Sequence, residues 1–191
     1  MQTVQDSIDV AVPVSTAYNQ WTQFESFPAF MSGVEQVHQL SDRKTHWKTN
    51  VHGVQREFDA EITEQRPDER VAWTTVEGLH HAGVVTFHRL DDHTTRVSLQ
   101  LEFRPEGLTE KAGAALGVVG MQAKGDLARF KEFIERDGTA TGAWRGEIGR
   151  PPQEGETQPG PQAGAGQPGP ASSQPPTGLR RPDLSNPEGD P

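Results

Sequence analysis

Residues 108–136 read LTEKAGAALGVVGMQAKGDLARFKEFIER. Leu116, Val119, Ala123, Leu127, Phe130 and Ile134 recur there at spacings of three and four, the buried stripe of an amphipathic helix. Gly113, Gly117 and Gly120 stack on a neighbouring face, roughly 80° round the axis at about 100° per residue. Each glycine inside a helix costs about 0.5–1 kcal/mol relative to alanine. Two causes would justify that cost. Either another backbone approaches closely, or space is left open beside the helix. The helix alone does not choose between them; the segments before it favour open space.

Val4, Ile8, Val10 and Val12 alternate with Gln5, Ser7 and Asp9, which predicts a half-buried strand ended by Pro13. Ser15 fits a helix N-cap, with Ala17, Trp21 and Phe24 following at helical spacing. Ser26 to Met31 reads as a second short helix, with Pro28 near its start and Gly33 as its stop. Strands follow over 34–40, 44–51, 54–65, 70–77, 83–90 and 94–103, separated by turn residues such as Gly53, Pro67-Asp68, Gly78 and Asp91-Asp92. The middle strand alternates most clearly, with Phe58, Ala60 and Ile62 facing in and Glu57, Asp59, Glu61 and Thr63 facing out.

This order predicts an α+β chain: a curved antiparallel sheet of about seven strands around one long C-terminal helix, with two short helices after strand 1. One face of the sheet meets water. A twisted sheet of this size curls, and a single helix about 40 Å long, at 1.5 Å per residue, does not fill the concavity. Bulky residues in the second half of the helix (Leu127, Phe130, Ile134) seal one end, while the glycine-bearing half leaves room at the other. The expected cavity is lined on the sheet side by Trp47, Phe58, Trp73, Phe87, Leu99 and Leu101 and on the helix side by Gly117 and Gly120. Arg56, two residues before Phe58, is either its polar anchor or a side chain that reaches out to water.

Several segments carry a family resemblance: Ile8 to Tyr18 (IDVAVPVSTAY), Trp21 to Pro28 (WTQFESFP), Phe103 to Gly107 (FRPEG) and Asp126 to Lys131 (DLARFK). They resemble the polyketide cyclase/dehydrase and lipid-transport superfamily (SRPBCC), the START or Bet v 1-like group. Within it the chain is most similar to small bacterial cyclase/dehydrase proteins, which are themselves similar to the coenzyme Q-binding, Coq10-like branch. The likeness covers about residues 1–149. It implies a helix-grip fold and a hydrophobic ligand: a lipid, a quinone or a polyketide-like molecule. It does not by itself imply an activity, because this fold hosts carriers, receptors and enzymes alike.

Composition divides the chain at residue 150. All thirteen aromatic residues lie before residue 145, whereas 150–191 holds eleven of the fifteen prolines and seven glycines. Such a segment is expected to be a disordered Pro/Gly-rich tail, a solvated linker more than a docking motif for a protein partner. The first 149 residues carry a charge of −7 and the tail −2, giving −9 in total. An acidic domain without a basic stripe argues against nucleic-acid binding. No apolar run is long enough to span a bilayer and no secretory signal is visible, so a cytoplasmic location is expected. With no cysteine, thiolate chemistry and disulfides are excluded.

Catalytic motifs are missing. His80 and His81 are adjacent and point to opposite faces of a strand, and no paired His-carboxylate spacing occurs; exposed or edge histidines are expected, with no metal and no cofactor. There is no G-x-S-x-G elbow. Tyr18, the single tyrosine, either faces the cavity entrance or packs beside it. The expected role is therefore binding of a small hydrophobic molecule. One alternative is a polyketide cyclase or dehydratase working in the same cavity without a recognisable motif. Another is an interaction or chaperone-like protein with no ligand.

Overall fold

The computed structural model describes residues 1–51, 53–78, 80–104 and 109–149, with side chains of 109–115 excluded. The Pro/Gly-rich stretch 150–191, His52 and the face around Gly113 lie outside the described residues. Nine-residue β1 (Gln2–Val10) leads into α1 (Val14–Trp21) and a 3-10 helix (Phe24–Ala29). Six strands follow: β2 (Val34–Gln39), β3 (Lys44–Val51), β4 (Val54–Arg66), β5 (Arg70–Thr75), β6 (His81–Arg89) and β7 (Thr95–Phe103). The long helix, α2, runs Thr109–Asp137. Gly138, at φ 64°, ends it by donating its N–H to the Ile134 carbonyl at 2.9 Å, a conformation that favours glycine.

All seven strands form one antiparallel sheet in the order β1-β7-β6-β5-β4-β3-β2. Alternation decides its two faces. Val10, Ala60, Val71, Val85 and Val97 are fully buried on the inner face. Between them, outward residues pair across strands: Lys44 with Asp59 at 2.7 Å, Lys48 with Glu57 at 3.4 Å and Arg96 with Asp9 at 2.7 Å. These exposed pairs contribute little to stability; they keep the outer face wet. The seven-stranded sheet around one C-terminal helix is the helix-grip arrangement.

Two local expectations change. Pro13, with ψ 151°, occupies the N-cap of α1, so Ser15 lies inside the helix and no side chain caps it. Pro13 supplies extended backbone and its carbonyl accepts from Thr16 and Ala17 at 2.9 and 3.1 Å, which starts the helix two residues earlier. The second short helix begins at Phe24 instead of Ser26 and is 3-10 in type, a geometry suited to so short a turn.

Residues 138–149 form a strap that the periodicity gave no sign of. Thr141 N–H donates to Gln20 Oε1 at 2.8 Å, and Trp144 N–H donates to Thr22 Oγ1 at 3.0 Å. Arg145 binds Asp68 through both guanidinium nitrogens, at 3.0 and 2.7 Å, and lies over the Tyr18 ring. Ile148 closes the strap by exchanging backbone hydrogen bonds with Gln65. Buried Gln20 and Gln65 thereby find partners, as buried polar groups require.

Candidate ligand-binding hollow

One end of the inner face is packed solid. Trp21 sits edge-on to Phe130 with ring centroids 5.0 Å apart and to Phe27 at 5.6 Å, and Phe30 meets Phe130 at 5.2 Å. Leu127, Phe130 and Ile134 of α2 are at most 1% exposed there. Arg129 fastens the helix by donating to the Phe30 carbonyl at 3.0 Å, and Lys131 does so by donating to the Asp9 carbonyl at 2.7 Å. Interlocked aromatics of this kind leave no space for a guest.

The other end differs. Phe58, Trp73, Leu101, Leu116 and Val119 point inward by register or helical stripe, yet all are only half-buried. They stand on the parts of β4, β5 and β7 toward Arg56, Thr75 and Phe103 and on the first half of α2. A burial gradient therefore runs along the core, from closed beneath Phe130 to incompletely covered beneath Leu116.

The residues expected to line the cavity divide along that gradient. Phe58, Trp73 and Leu101 belong to the uncovered end. Trp47 stacks parallel to Phe58 with centroids 6.3 Å apart, is buried, and donates its Nε1–H to Thr45 Oγ1 at 2.8 Å. Leu99 is buried between the two ends, and Phe87 belongs to the packed end against Tyr18 and Trp21. Tyr18 itself is fully buried, and its hydroxyl accepts from Gln65 Nε2 at 3.2 Å; burial pushes its pKa up. Arg56 shares the parity of Phe58 and pairs with Thr49, but its side chain is exposed. Gly120 is half-buried, with Val4 Cγ1 3.7 Å from where a Cβ would stand. Gly117 is exposed, with open space at that position, and so stands at the rim.

A separate open pocket of about 390 Å³ lies between α2 and the β2–β3 side, lined by Gly33, Val51, Val118, Met121, Gln122 and Arg129 among others. None of the sequence-derived residues lines it. Gln122 packs tightly on Gly33, where any Cβ would collide with its amide. Asp126, next to this wall, accepts from Ser32 N–H at 3.1 Å and pairs with Arg129; burial nonetheless pushes its carboxyl pKa up.

Polar groups on the inner face escaped the sequence reading. Asp6 shares the parity of Val4 and pairs with Leu99. His81 opens β6, in register with Phe103, which in turn pairs with Gln2. The expectation of exposed or edge histidines fails at His81: β6 starts two residues earlier than predicted, so the parity of Phe87, Val85 and Gly83 carries it inward. Extending that alternation two steps back was the signal available. Burial, reinforced by His80, lowers the His81 pKa below its usual 6.5.

Among the described residues no helix is long and apolar enough to cross a membrane. A sequence profile of the family described as "Polyketide cyclase / dehydrase and lipid transport" matches residues 10–132. An uncharacterized 17.2 kDa protein from the melC2-rnhH intergenic region of Streptomyces lincolnensis is 64% identical over 149 residues, spanning 78% of this chain and 99% of that protein. Among solved structures, the Zhui aromatase/cyclase from Streptomyces sp. R1128 superposes with TM-score 0.63 at 16% identity, over 75% of this chain and 99% of that one. A START superfamily protein from Mycobacterium smegmatis gives 0.62 at 11% identity, over 70% and 97%. Both structural likenesses speak for the fold alone. The profile match, spanning more than half of the sequence, shows that the chain belongs to the polyketide cyclase/dehydrase and lipid transport family.

Proposed function

We propose that this protein binds a small hydrophobic molecule (lipid, quinone or polyketide-like) between the sheet and the first half of α2. The observation that carries the reading is the burial gradient. Five inward-facing apolar side chains, Phe58, Trp73, Leu101, Leu116 and Val119, are left half-buried together on adjoining parts of β4, β5, β7 and α2. Completing the burial of one such half-covered side chain is worth about 1 kcal/mol, so a cluster left half-covered is a standing driving force for an apolar guest. A neutral polycyclic probe, 1-aminoanthracene, tests this by its fluorescence. Saturable binding with enhanced, blue-shifted emission is expected, and Val119→Trp should suppress it. If the probe stays dim, or Val119→Trp binds it as well as the parent protein, the reading is wrong.

Polyketide cyclisation or dehydration in the same space is the second reading, favoured by the family description itself. A shaped cavity with one or two proton-transfer groups would suffice for such chemistry. Incubation with linear poly-β-ketone thioesters, followed by product analysis, separates catalysis from carriage.

A further inference from the structure

The half-buried inner face is mostly apolar, but its rim strands carry one row of polar groups with hydrogen-bonding atoms that no described residue fills. His81 and Gln2 flank Phe103 across three adjacent strands, β6, β7 and β1. Inner-face register puts all three side chains on the side of α2, with Phe103 buried between them. Strands lie about 4.8 Å apart, so the two polar residues are separated by roughly 10 Å. Gln2 Oε1 is buried without a hydrogen-bond partner among the described residues. The His81 backbone N–H donates to Thr75 Oγ1 at 3.1 Å, whereas its ring has no hydrogen bond to any described residue. Next to it on the same face is Gly83, in register with both Trp73 and Leu101 and covered by the Trp73 indole. The row thus borders the uncovered apolar cluster.

A buried polar atom without a partner, as Gln2 Oε1 is among the described residues, is costly in an empty protein and useful in a loaded one. A neutral imidazole offers one donor and one acceptor, and a free amide oxygen offers an acceptor. Lowered basicity keeps the ring uncharged near neutral pH, which suits an uncharged partner. The group suited to either position is a hydroxyl, because it donates to either acceptor and can accept from the imidazole N–H; at roughly 10 Å apart the two positions take separate groups.

Resting on the ligand-binding reading above, we infer that His81 selects for apolar ring systems bearing a neutral hydroxyl, with Gln2 a second such position roughly 10 Å away. His81 acts as a specificity-determining residue of the hollow. The ligand class is then phenol- or alcohol-bearing, in preference to the bare hydrocarbon.

Equilibrium dialysis of the full-length protein against 2-naphthol and against naphthalene tests the inference, because the two share one ring frame and differ by one hydroxyl. The parent protein should bind 2-naphthol the more tightly. His81→Phe should erase about three- to tenfold of that preference for 2-naphthol over naphthalene, whereas His81→Asn should restore part of it. Far-UV circular dichroism of each variant confirms that it is folded. Should both probes bind while His81→Phe keeps the preference intact, the role assigned to His81 is overturned and the hollow survives. Should neither probe bind the parent protein, the hollow falls and this inference with it.

Discussion

At the scale of single residues, Gly83 and His81 show how a strand's start sets its chemistry. Gly83 has no side chain because the Trp73 indole from β5 occupies the place a Cβ would take. Gly83→Ala should push that ring off the sheet and lower stability by about 1–3 kcal/mol, measured by urea denaturation, with 1-aminoanthracene binding altered as Trp73 moves. His81 makes a separate prediction. Its folded-state pKa lies below 6.5, so the unfolded chain binds this proton more tightly than the folded one. Stability should therefore fall as pH drops through 6.5 toward the lowered value, and level off below it. The melting temperature of His81→Phe, followed from pH 7.5 to 5, should decline less steeply than that of the parent protein. Equal slopes would show that His81 titrates alike in both states.

At the scale of elements, the strap over 138–149 is the largest departure from what periodicity conveys. It has neither the two-residue period of a strand nor the helical repeat, and its partners Gln20, Thr22, Gln65 and Asp68 are spread over forty-nine positions of the sequence. Truncation separates its contribution from that of the segment beyond it. A chain ending at Gly149 should melt like the full-length protein, since the described contacts are retained. One ending at Asp137 loses the Ile148 and Trp144 packing and strands Gln20, and should be less stable by about 3–5 kcal/mol; calorimetry of the two would decide. The strands and α2, in contrast, were legible in advance. Their faces follow from alternation and the three-four spacing alone. The ends of α1 and β6 were not, because a boundary depends on one residue's backbone: Pro13 in the first case, His81 in the second.

For the whole molecule, the fold was readable, whereas the proposed hollow turns on which inward residues are covered. Phe58, Trp73 and Leu101 carry the signature of an inward face, but sequence does not tell which inward residues the opposite layer covers. That depends on where α2 crosses the sheet. Hence Phe87 belongs to the packed end, and Gly117, though on the glycine ridge, lies at the rim while Gly120 meets Val4. The difference is testable. Gly117→Trp should leave 1-aminoanthracene uptake intact, in contrast to Val119→Trp. Saturating probe, at about a hundred times its Kd, should stabilise the parent protein by about 2.7 kcal/mol, a rise in Tm of about 5–10 °C for a domain of this size. An unchanged Tm at saturation would mean that the probe binds the unfolded chain equally well.

Gly149, at φ 73°, is pressed against the Thr63 carbonyl, where a Cβ would have no room. Thr63 lies five residues along β4 from Phe58, or about 17 Å at 3.3 Å per residue. Anything grafted onto the polypeptide after that glycine starts from the packed pole. A biotin handle or a fluorescent fusion placed there should hold the protein on a sensor chip with its uncovered pole facing the flow.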